Sequence, residues 1–189
     1  CVEQIIALHK AGCELVRVTT PSLGEAECLH EIRAKVNERY GFVPLTADVH
    51  HQGTDIAVEA AKVVDEVRVN PGLFVFKRHG SRASQVVEQS IDFRGRAEDD
   101  VETLRQQLAF SEEEWREEME AIEESFVPVI EACKKRDIAM RIGVNHGSLS
   151  ERILITYGDT PRGMVESAME YLKICEKYDY RNLNISAKA

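Results

Sequence analysis

The amino-acid sequence predicts an α/β protein with a TIM-like (β/α)8 barrel that is incomplete in this chain, with five of the eight strands present. Along the chain the hydrophobic period switches between two and 3.6 residues, which indicates strands that alternate with helices. Strands separated by helices form parallel βα units. The strand segments are 15–20, 43–50, 66–71, 139–145 and 182–189. One further strand is expected before Cys1 and two after Ala189.

Local capping chemistry predicts where two helices begin. The spacings from Ser22 to Glu25 and from Ser111 to Glu114 predict capping boxes, in which serine and glutamate each satisfy a backbone amide of the other. Gly41 is predicted to end the helix that follows Ser22.

Proline residues supply further boundary signals. Thr160 and Pro161 predict the N-cap and first residue of the last helix. Pro128 lies inside a helical pattern and is predicted to kink or break that helix just before it. The segment 73–110 is too long for an ordinary loop. We therefore expect one partial barrel over residues 1–189 that carries an insertion or lid at 73–110, with a short helix of its own.

Charge and hydropathy exclude several classes of function. The net charge is −9, and residues 92–124 account for all of it with thirteen acidic and four basic residues. The remainder is balanced, so a nucleic-acid surface is not expected. No segment has the ~18 consecutive apolar residues of a membrane span, and no signal peptide is apparent.

The cysteines give no sign of a metal site within this chain. They stand at positions 1, 13, 28, 133 and 175, with no CxxC pair and no spacing suited to zinc. We interpret them as buried thiols in a reducing compartment.

Each predicted strand has one polar and one apolar face, because residues two apart point to the same side. The polar side carries Arg17, Thr19, Thr46, Asp48, His50, Arg68, Asn70, Arg141, Gly143, Asn145, Asn184, Ser186 and Lys188. The other side is apolar and is predicted to meet the helices. The polar side then points into the barrel, toward the carboxyl ends of the strands, where this fold builds its active sites.

Cations outnumber acids on this predicted inner face. By this count, Asp48 alone faces the cations, which are Arg17, Arg68, Arg141 and Lys188. An unpaired buried cation costs several kcal/mol, so the barrel mouth is expected to be wet or to hold a polyanion. Arginine forks match the paired oxygens of phosphates, and a diphosphate is the predicted ligand. The alternative is that the partners of these cations lie in strands and loops outside this chain.

Several individual residues leave two interpretations open. Asp48 and His50 are too few ligands for a metal and are interpreted as a hydrogen-bonding pair beside the substrate. His51 has the opposite parity and is expected in a loop or at the surface. Asn70 and Asn145 either donate to the substrate or hold βα loops in place.

Residues after the fourth strand and in the fifth also leave two interpretations open. His146 and Ser148 precede a helix predicted to begin near Leu149, where free amides attract phosphate. Simple N-capping by Ser148 fits equally well. Lys188 is either a phosphate clamp or a Schiff-base lysine.

Four segments carry a resemblance to a known family. They are PLTADVHH (44–51), VRVNPG (67–72), MRIGVNHGSLSERILITYGDTPRGMVESAMEYLKIC (140–175) and NLNISAKA (182–189). Together they resemble the barrel domain of the 4-hydroxy-3-methylbut-2-enyl diphosphate synthase family, in the longer form found in plastids and some bacteria. The resemblance covers nearly the whole chain and is weakest over 73–110.

This resemblance implies an oxidoreductase of the non-mevalonate (MEP) isoprenoid pathway. Such an enzyme converts 2-C-methyl-D-erythritol 2,4-cyclodiphosphate to 4-hydroxy-3-methylbut-2-enyl diphosphate by reductive dehydroxylation. The resemblance further implies an iron–sulfur domain after residue 189, whose three cysteines and one glutamate hold a [4Fe-4S] cluster outside this chain. Ferredoxin or flavodoxin as electron donor, a homodimer, and a bacterial cytoplasm or plastid stroma are also expected.

Matching the family's motifs assigns candidate roles to residues of this chain. The expected substrate-binding residues are Arg17, Asp48, His50, Arg68, Asn70, Arg141, Asn145 and Lys188, and Asp48 and His50 are also candidate catalytic residues. The chain alone is expected to bind the diphosphate without performing the reduction. Two alternatives remain, a Schiff-base aldolase or lyase that uses Lys188, and a non-catalytic anion-binding module.

Overall fold

A computed structural model of the chain describes residues 1–50, 53–75 and 109–189. The helices are α1 (Val2–Lys10), α2 (Leu23–Arg39), α3 (Thr54–Ala60), α4 (Pro71–Phe74), α5 (Glu112–Arg136), α6 (Glu151–Tyr157) and α7 (Pro161–Lys177). The strands are β1 (Val16–Thr19), β2 (Leu45–Val49), β3 (Glu66–Val69), β4 (Ala139–Asn145) and β5 (Leu183–Lys188).

The strands form one parallel sheet in the order β1-β2-β3-β4-β5. Sequential strands are therefore spatial neighbours, as in a barrel that is built one βα unit at a time. The prediction of five parallel strands is confirmed. The strand ends agree with the prediction to within two residues, and those of β4 agree with it at both ends. Strand β3 ends at Val69, so that Asn70 lies beyond it.

The apolar side of the sheet packs against the helices, as predicted. Ala47, Val67 and Ile142 are fully buried in the same core as Leu29 of α2 and Phe126 of α5. Since this side is covered by helices, the polar side chains of the strands are left on the opposite face.

Of the two predicted capping boxes, one is present and one is not. The capping box of Ser111 and Glu114 is present at the start of α5. At α2, by contrast, the predicted capping box is wrong, because Ser22 lies at the N-cap position without bonding a backbone amide. Its hydroxyl donates to the carboxylate of Glu25 instead, and the two side chains that should cap the helix satisfy each other.

Of the kink or break predicted at Pro128, the break is wrong. Helix α5 runs without interruption from Glu112 to Arg136 with Pro128 inside it. Buried side chains on both sides of the proline, Phe126, Val129 and Ile130, anchor the two halves in one core. Their packing outweighs the single backbone hydrogen bond that proline removes.

The helix that was predicted to begin near Leu149 begins at Glu151. Its N-cap is Ser150, whose Oγ accepts from the Ile153 amide, so the predicted capping by Ser148 is wrong. The start of α7 is as predicted, with Thr160 Oγ1 accepting from the Gly163 amide 3.1 Å away.

Two predictions concern residues outside the described ranges. His51 and nearly all of the predicted insertion at 73–110 fall there. No helix within the described ranges is long and apolar enough to cross a membrane.

Candidate functional site

The polar side chains of neighbouring strands meet on the inner face of the sheet. Register places Asp48 beside Arg68, Arg68 beside Arg141, and Arg141 beside Asn184. Hydrogen bonds between these strands tie the side chains into two networks, one around Asp48 and one around Glu66.

In the Asp48 network, one carboxylate collects two arginines and a histidine. Arg68 Nη1 donates to Asp48 Oδ1 at 2.8 Å, and Arg17 Nε lies 3.3 Å from Oδ2. His50 Nδ1 lies 3.4 Å from Oδ1. The side chains of Asp48 and Arg68 are 2% and 4% exposed, whereas that of Arg17 is 62% exposed. Arg17 is therefore the cation of this network that has most of its surface available to a ligand.

His50 bridges both partners of the Asp48–Arg68 pair. Its Nε2 lies 3.2 Å from Arg68 Nη1. Because a guanidinium can only donate, Nε2 must act as the acceptor, which leaves the proton on Nδ1 beside Asp48. This tautomer satisfies both contacts and orients the imidazole at the carboxyl end of β2.

The backbone of β4 completes the surroundings of Arg68. Arg68 Nη2 donates to the Gly143 carbonyl at 2.9 Å. A Cβ atom at position 143 would lie 2.3 Å from Arg68 Nε. Glycine is thus needed here because the guanidinium lies directly against the backbone of β4.

The Glu66 network corrects the predicted charge count. Glu66 faces the same side as Arg68, so Asp48 is not the only acid on this face. Its Oε1 accepts from Thr46 Oγ1 at 3.0 Å and from Arg141 Nε at 2.9 Å. Its Oε2 accepts from Arg141 Nη2 at 3.3 Å and from Asn184 Nδ2. Parity with Arg68 was the signal that could have found it, because residues 66 and 68 are two apart.

Asn70 is committed to loop structure at both ends of its amide. Its Oδ1 accepts from the Gly72 amide at 3.2 Å, and its Nδ2 donates to Ser148 Oγ at 3.1 Å. Ser148 in turn donates to the Asn145 carbonyl. A Cβ atom at position 72 would lie 1.8 Å from the Ser148 carbonyl oxygen, so the start of α4 and the loop after β4 are in contact at this glycine. Of the two interpretations of Asn70, this geometry favours loop anchoring.

The carboxyl ends of β4 and β5 hold the remaining predicted residues. Asn145 and Lys188 are register partners, and the His146 amide donates to the Lys188 carbonyl at 2.8 Å. The Lys188 side chain is exposed and forms no ion pair with another described residue. His146 Nε2 lies 3.1 Å from Asp159 Oδ2, a partner that the sequence reasoning missed because Asp159 belongs to the loop between α6 and α7.

The cysteines of this chain do not fit a metal centre. Burial raises the pKa of the Cys133 and Cys175 thiols to about 12, whereas a cluster ligand must be a thiolate. Cys1 and Cys28 are exposed, so the prediction that all cysteines are buried is wrong for these two. Within the described ranges, no three histidine, cysteine or acidic side chains are grouped so that they could hold a metal ion.

Comparison with known proteins places this geometry in a family. The family model described as "GcpE TIM-barrel domain" matches residues 1–189. The chain belongs to the GcpE TIM-barrel domain family. This membership, together with the five parallel strands, confirms the predicted incomplete TIM-like barrel and the predicted resemblance.

Several curated relatives of this GcpE barrel are named 4-hydroxy-3-methylbut-2-en-1-yl diphosphate synthase (ferredoxin). The relative from Gloeobacter violaceus is 50% identical over 188 residues, which are 100% of this chain and 41% of the relative. Those from Synechococcus sp. (strain CC9311) and Synechocystis sp. are 48% and 46% identical over the same length, again covering 41% of each relative. The chain thus spans about two fifths of the length of these relatives.

Proposed function

We propose that this chain is the substrate-binding barrel of a 4-hydroxy-3-methylbut-2-en-1-yl diphosphate synthase. The complete enzyme would reduce 2-C-methyl-D-erythritol 2,4-cyclodiphosphate to 4-hydroxy-3-methylbut-2-enyl diphosphate, in a bacterial cytoplasm or a plastid stroma. The observation that carries the proposal lies on the inner face of the GcpE barrel. There the carboxylates of Asp48 and Glu66 are each paired with arginine. Exposed surface for an anion remains on Arg17, Arg141 and Lys188. The identity to synthases over the full length of the chain supports the same assignment.

In this proposal the cations divide into two groups. Three cations, Arg17, Arg141 and Lys188, keep surface available for a diphosphate. The side chains of Arg17 and Arg141 are 62% and 28% exposed, and Lys188 is exposed on β5. Arg68 is almost completely buried and instead fixes Asp48 and His50. Direct contact of Arg68, Asn70 or Asn145 with the substrate remains a prediction.

The residues around Asp48 supply positioning and a proton-handling pair. His50, held with its proton on Nδ1, and the carboxylate of Asp48 would lie beside the substrate's hydroxyl and ring oxygens. The electrons would come from ferredoxin or flavodoxin through a [4Fe-4S] cluster in a C-terminal domain. The ligands of that cluster would lie outside this chain, because the thiols of this chain do not fit it.

Calorimetric binding of the cyclodiphosphate to the complete enzyme tests the proposal. Arg141→Met should weaken binding by about 1.5–3 kcal/mol for each lost charge-assisted bond. It should also lower the melting temperature, because it leaves the buried carboxylate of Glu66 without its cation. Arg162→Met, which removes an exposed arginine of α7 whose side chain is 76% exposed, is the matched control and should bind normally. Unchanged affinity in Arg17→Met, Arg141→Met and Lys188→Met would contradict the proposal.

The same preparations separate the proposal from a Schiff-base enzyme. Borohydride should trap no covalent adduct at Lys188 in the presence of a carbonyl substrate. A trapped adduct, located by peptide mass spectrometry, would instead favour an aldolase or lyase.

A further inference from the structure

A buried carboxylate, that of Glu66, lies at the centre of the second network on the inner face of the sheet. Glu66 is 2% exposed, and its two oxygens accept four hydrogen bonds from β2, β4 and β5. These four bonds occupy both lone pairs of each oxygen, so that Glu66 has none free to receive a proton from a substrate and is a poor general base.

The bond to Arg141 is the most directional of the four. Nε and Nη2 of Arg141 reach the two oxygens of Glu66 in a fork, at 2.9 and 3.3 Å. This bidentate geometry fixes the plane of the guanidinium as well as its position. Among the described residues, no partner accepts a hydrogen bond from Nη1 of Arg141, and the side chain is 28% exposed.

The placement of the two central arginines explains why such an anchor is needed. Arg68 and Arg141 are register partners on adjacent parallel strands, where side chains lie close together and like charges repel. Asp48 of β2 binds Arg68. Glu66, which precedes Arg68 by two residues on β3, binds Arg141 of β4. The two carboxylates thereby hold the two guanidinium groups in separate, defined places.

We propose that Glu66 is a positioning residue that orients Arg141, so that the free Nη1 edge of this guanidinium meets the anionic substrate. The inference rests on the proposed function, since it assumes that Arg141 binds the diphosphate. Thr46 and Asn184 hold the carboxylate from either side, and all three side chains act on the substrate only through Arg141.

A double-mutant cycle in the complete enzyme tests this role. Glu66→Gln keeps the shape of the side chain but loses the charge that aligns the fork. We expect it to raise the dissociation constant of the cyclodiphosphate about 10-fold to 100-fold. In an Arg141→Met background the same substitution should change affinity less than about 3-fold, because the residue through which Glu66 acts is absent. A purely structural role would give the same factor in both backgrounds.

Asp65→Asn is the matched control. Asp65 precedes Glu66 but belongs to the other side of the sheet, where it binds Arg33 and the Leu45 amide. It should lower the melting temperature without changing affinity. If Glu66→Gln does not fold, Glu66→Asp keeps the charge, shortens the reach by one methylene, and should weaken binding by a smaller factor.

The outcomes separate this inference from the proposed function. If Arg141→Met weakens binding but folded Glu66→Gln or Glu66→Asp binds normally or more tightly, the positioning role is overturned and the proposed function stands. If Arg141→Met itself binds normally, Arg141 does not bind the diphosphate, and the inference fails together with that part of the proposed site.

Discussion

At the scale of single residues, the inner face depends on how closely charged groups and backbone approach each other. Arg68 is nearly inaccessible, yet both of its terminal nitrogens are satisfied by Asp48 and the Gly143 carbonyl. A buried arginine keeps its position when its hydrogen-bond partners are present, whereas removal of its charged partner strongly destabilises the fold. Gly143, which lies against Arg68, is therefore as important for the position of this arginine as Asp48, its charged partner.

Gly143→Ala should disturb the site through Arg68. The added Cβ would lie 2.3 Å from Arg68 Nε and 3.0 Å from Nη2, so the guanidinium must move away from Asp48 and His50. We expect weaker cyclodiphosphate binding and a lower melting temperature, measured by calorimetry and circular dichroism of the complete enzyme. Gly24→Ala is the control, since its Cβ would meet only Ser22 Oγ at 3.7 Å, and helix α2 should tolerate or prefer alanine. Normal substrate binding by Gly143→Ala would contradict this account of Arg68.

Cysteine reactivity should separate the buried thiols from the exposed ones. Burial raises the pKa of Cys133 and Cys175 to about 12, and only the thiolate is nucleophilic. At pH 8, iodoacetamide should therefore modify Cys1 and Cys28 in the folded protein and leave Cys133 and Cys175 unmodified until denaturant is added. Peptide mass spectrometry measures this pattern, and rapid native modification of Cys133 would contradict it.

At the scale of elements, one buried arginine connects three helices behind the sheet. Arg152 of α6 is 1% exposed and binds Glu118 of α5 and Glu170 of α7, while its guanidinium carbon lies 4.3 Å from the centroid of the Trp115 ring. These contacts hold α6, which follows the loop that joins Asn145, the last residue of β4, to the helix and contains Ser148. The helix layer and the mouth of the barrel are thus coupled through α6.

Arg152→Met should destabilise this layer by about 3–5 kcal/mol, because it leaves two partly buried carboxylates without their cation. The expected result is a lower thermal midpoint and faster amide hydrogen exchange in α6. Arg162→Met is the matched control, as the pair of Arg162 with Glu166 is exposed on α7 and should contribute no more than about 1 kcal/mol. Equal effects of the two substitutions would show that Arg152 is not a structural anchor.

At the scale of the whole molecule, the sheet formed by the described residues has two open edges. Strands β1 and β5 each pair on one side only within the described ranges. On β5, Ile185 faces the helix side but is 59% exposed, although its register partner Ile142 is fully buried. An unpaired parallel edge with exposed apolar residues is a template for association.

The 189-residue chain expressed alone should therefore self-associate. Light scattering and sedimentation velocity are expected to show oligomers or aggregates. Ile185→Lys should reduce this association more than Leu8→Lys, which places the same charge at an exposed apolar position of α1. A monomer with cooperative thermal unfolding would contradict the prediction.

Sequence alone determined the features that depend on periodicity and short-range chemistry. Strands that alternate with helices predicted a parallel sheet, and the alternating faces of β2 to β4 predicted that one of its sides is polar. The capping box at Ser111 required only four consecutive residues. The candidate set around Asp48, Arg68 and Arg141 followed from the same parity. Each of these rests on interactions that a few neighbouring residues define by themselves.

Tertiary structure decided which groups meet and which contact prevails. Glu66 neutralises Arg141 only because β3 and β4 pair in one register, and Arg68 is buried only because Gly143 lets it lie against β4. Pro128 remains helical because core packing on both sides outweighs one lost hydrogen bond, and Asp159 reaches His146 from a loop that is distant in sequence. These outcomes depend on free-energy differences between competing long-range contacts, which local patterns do not contain.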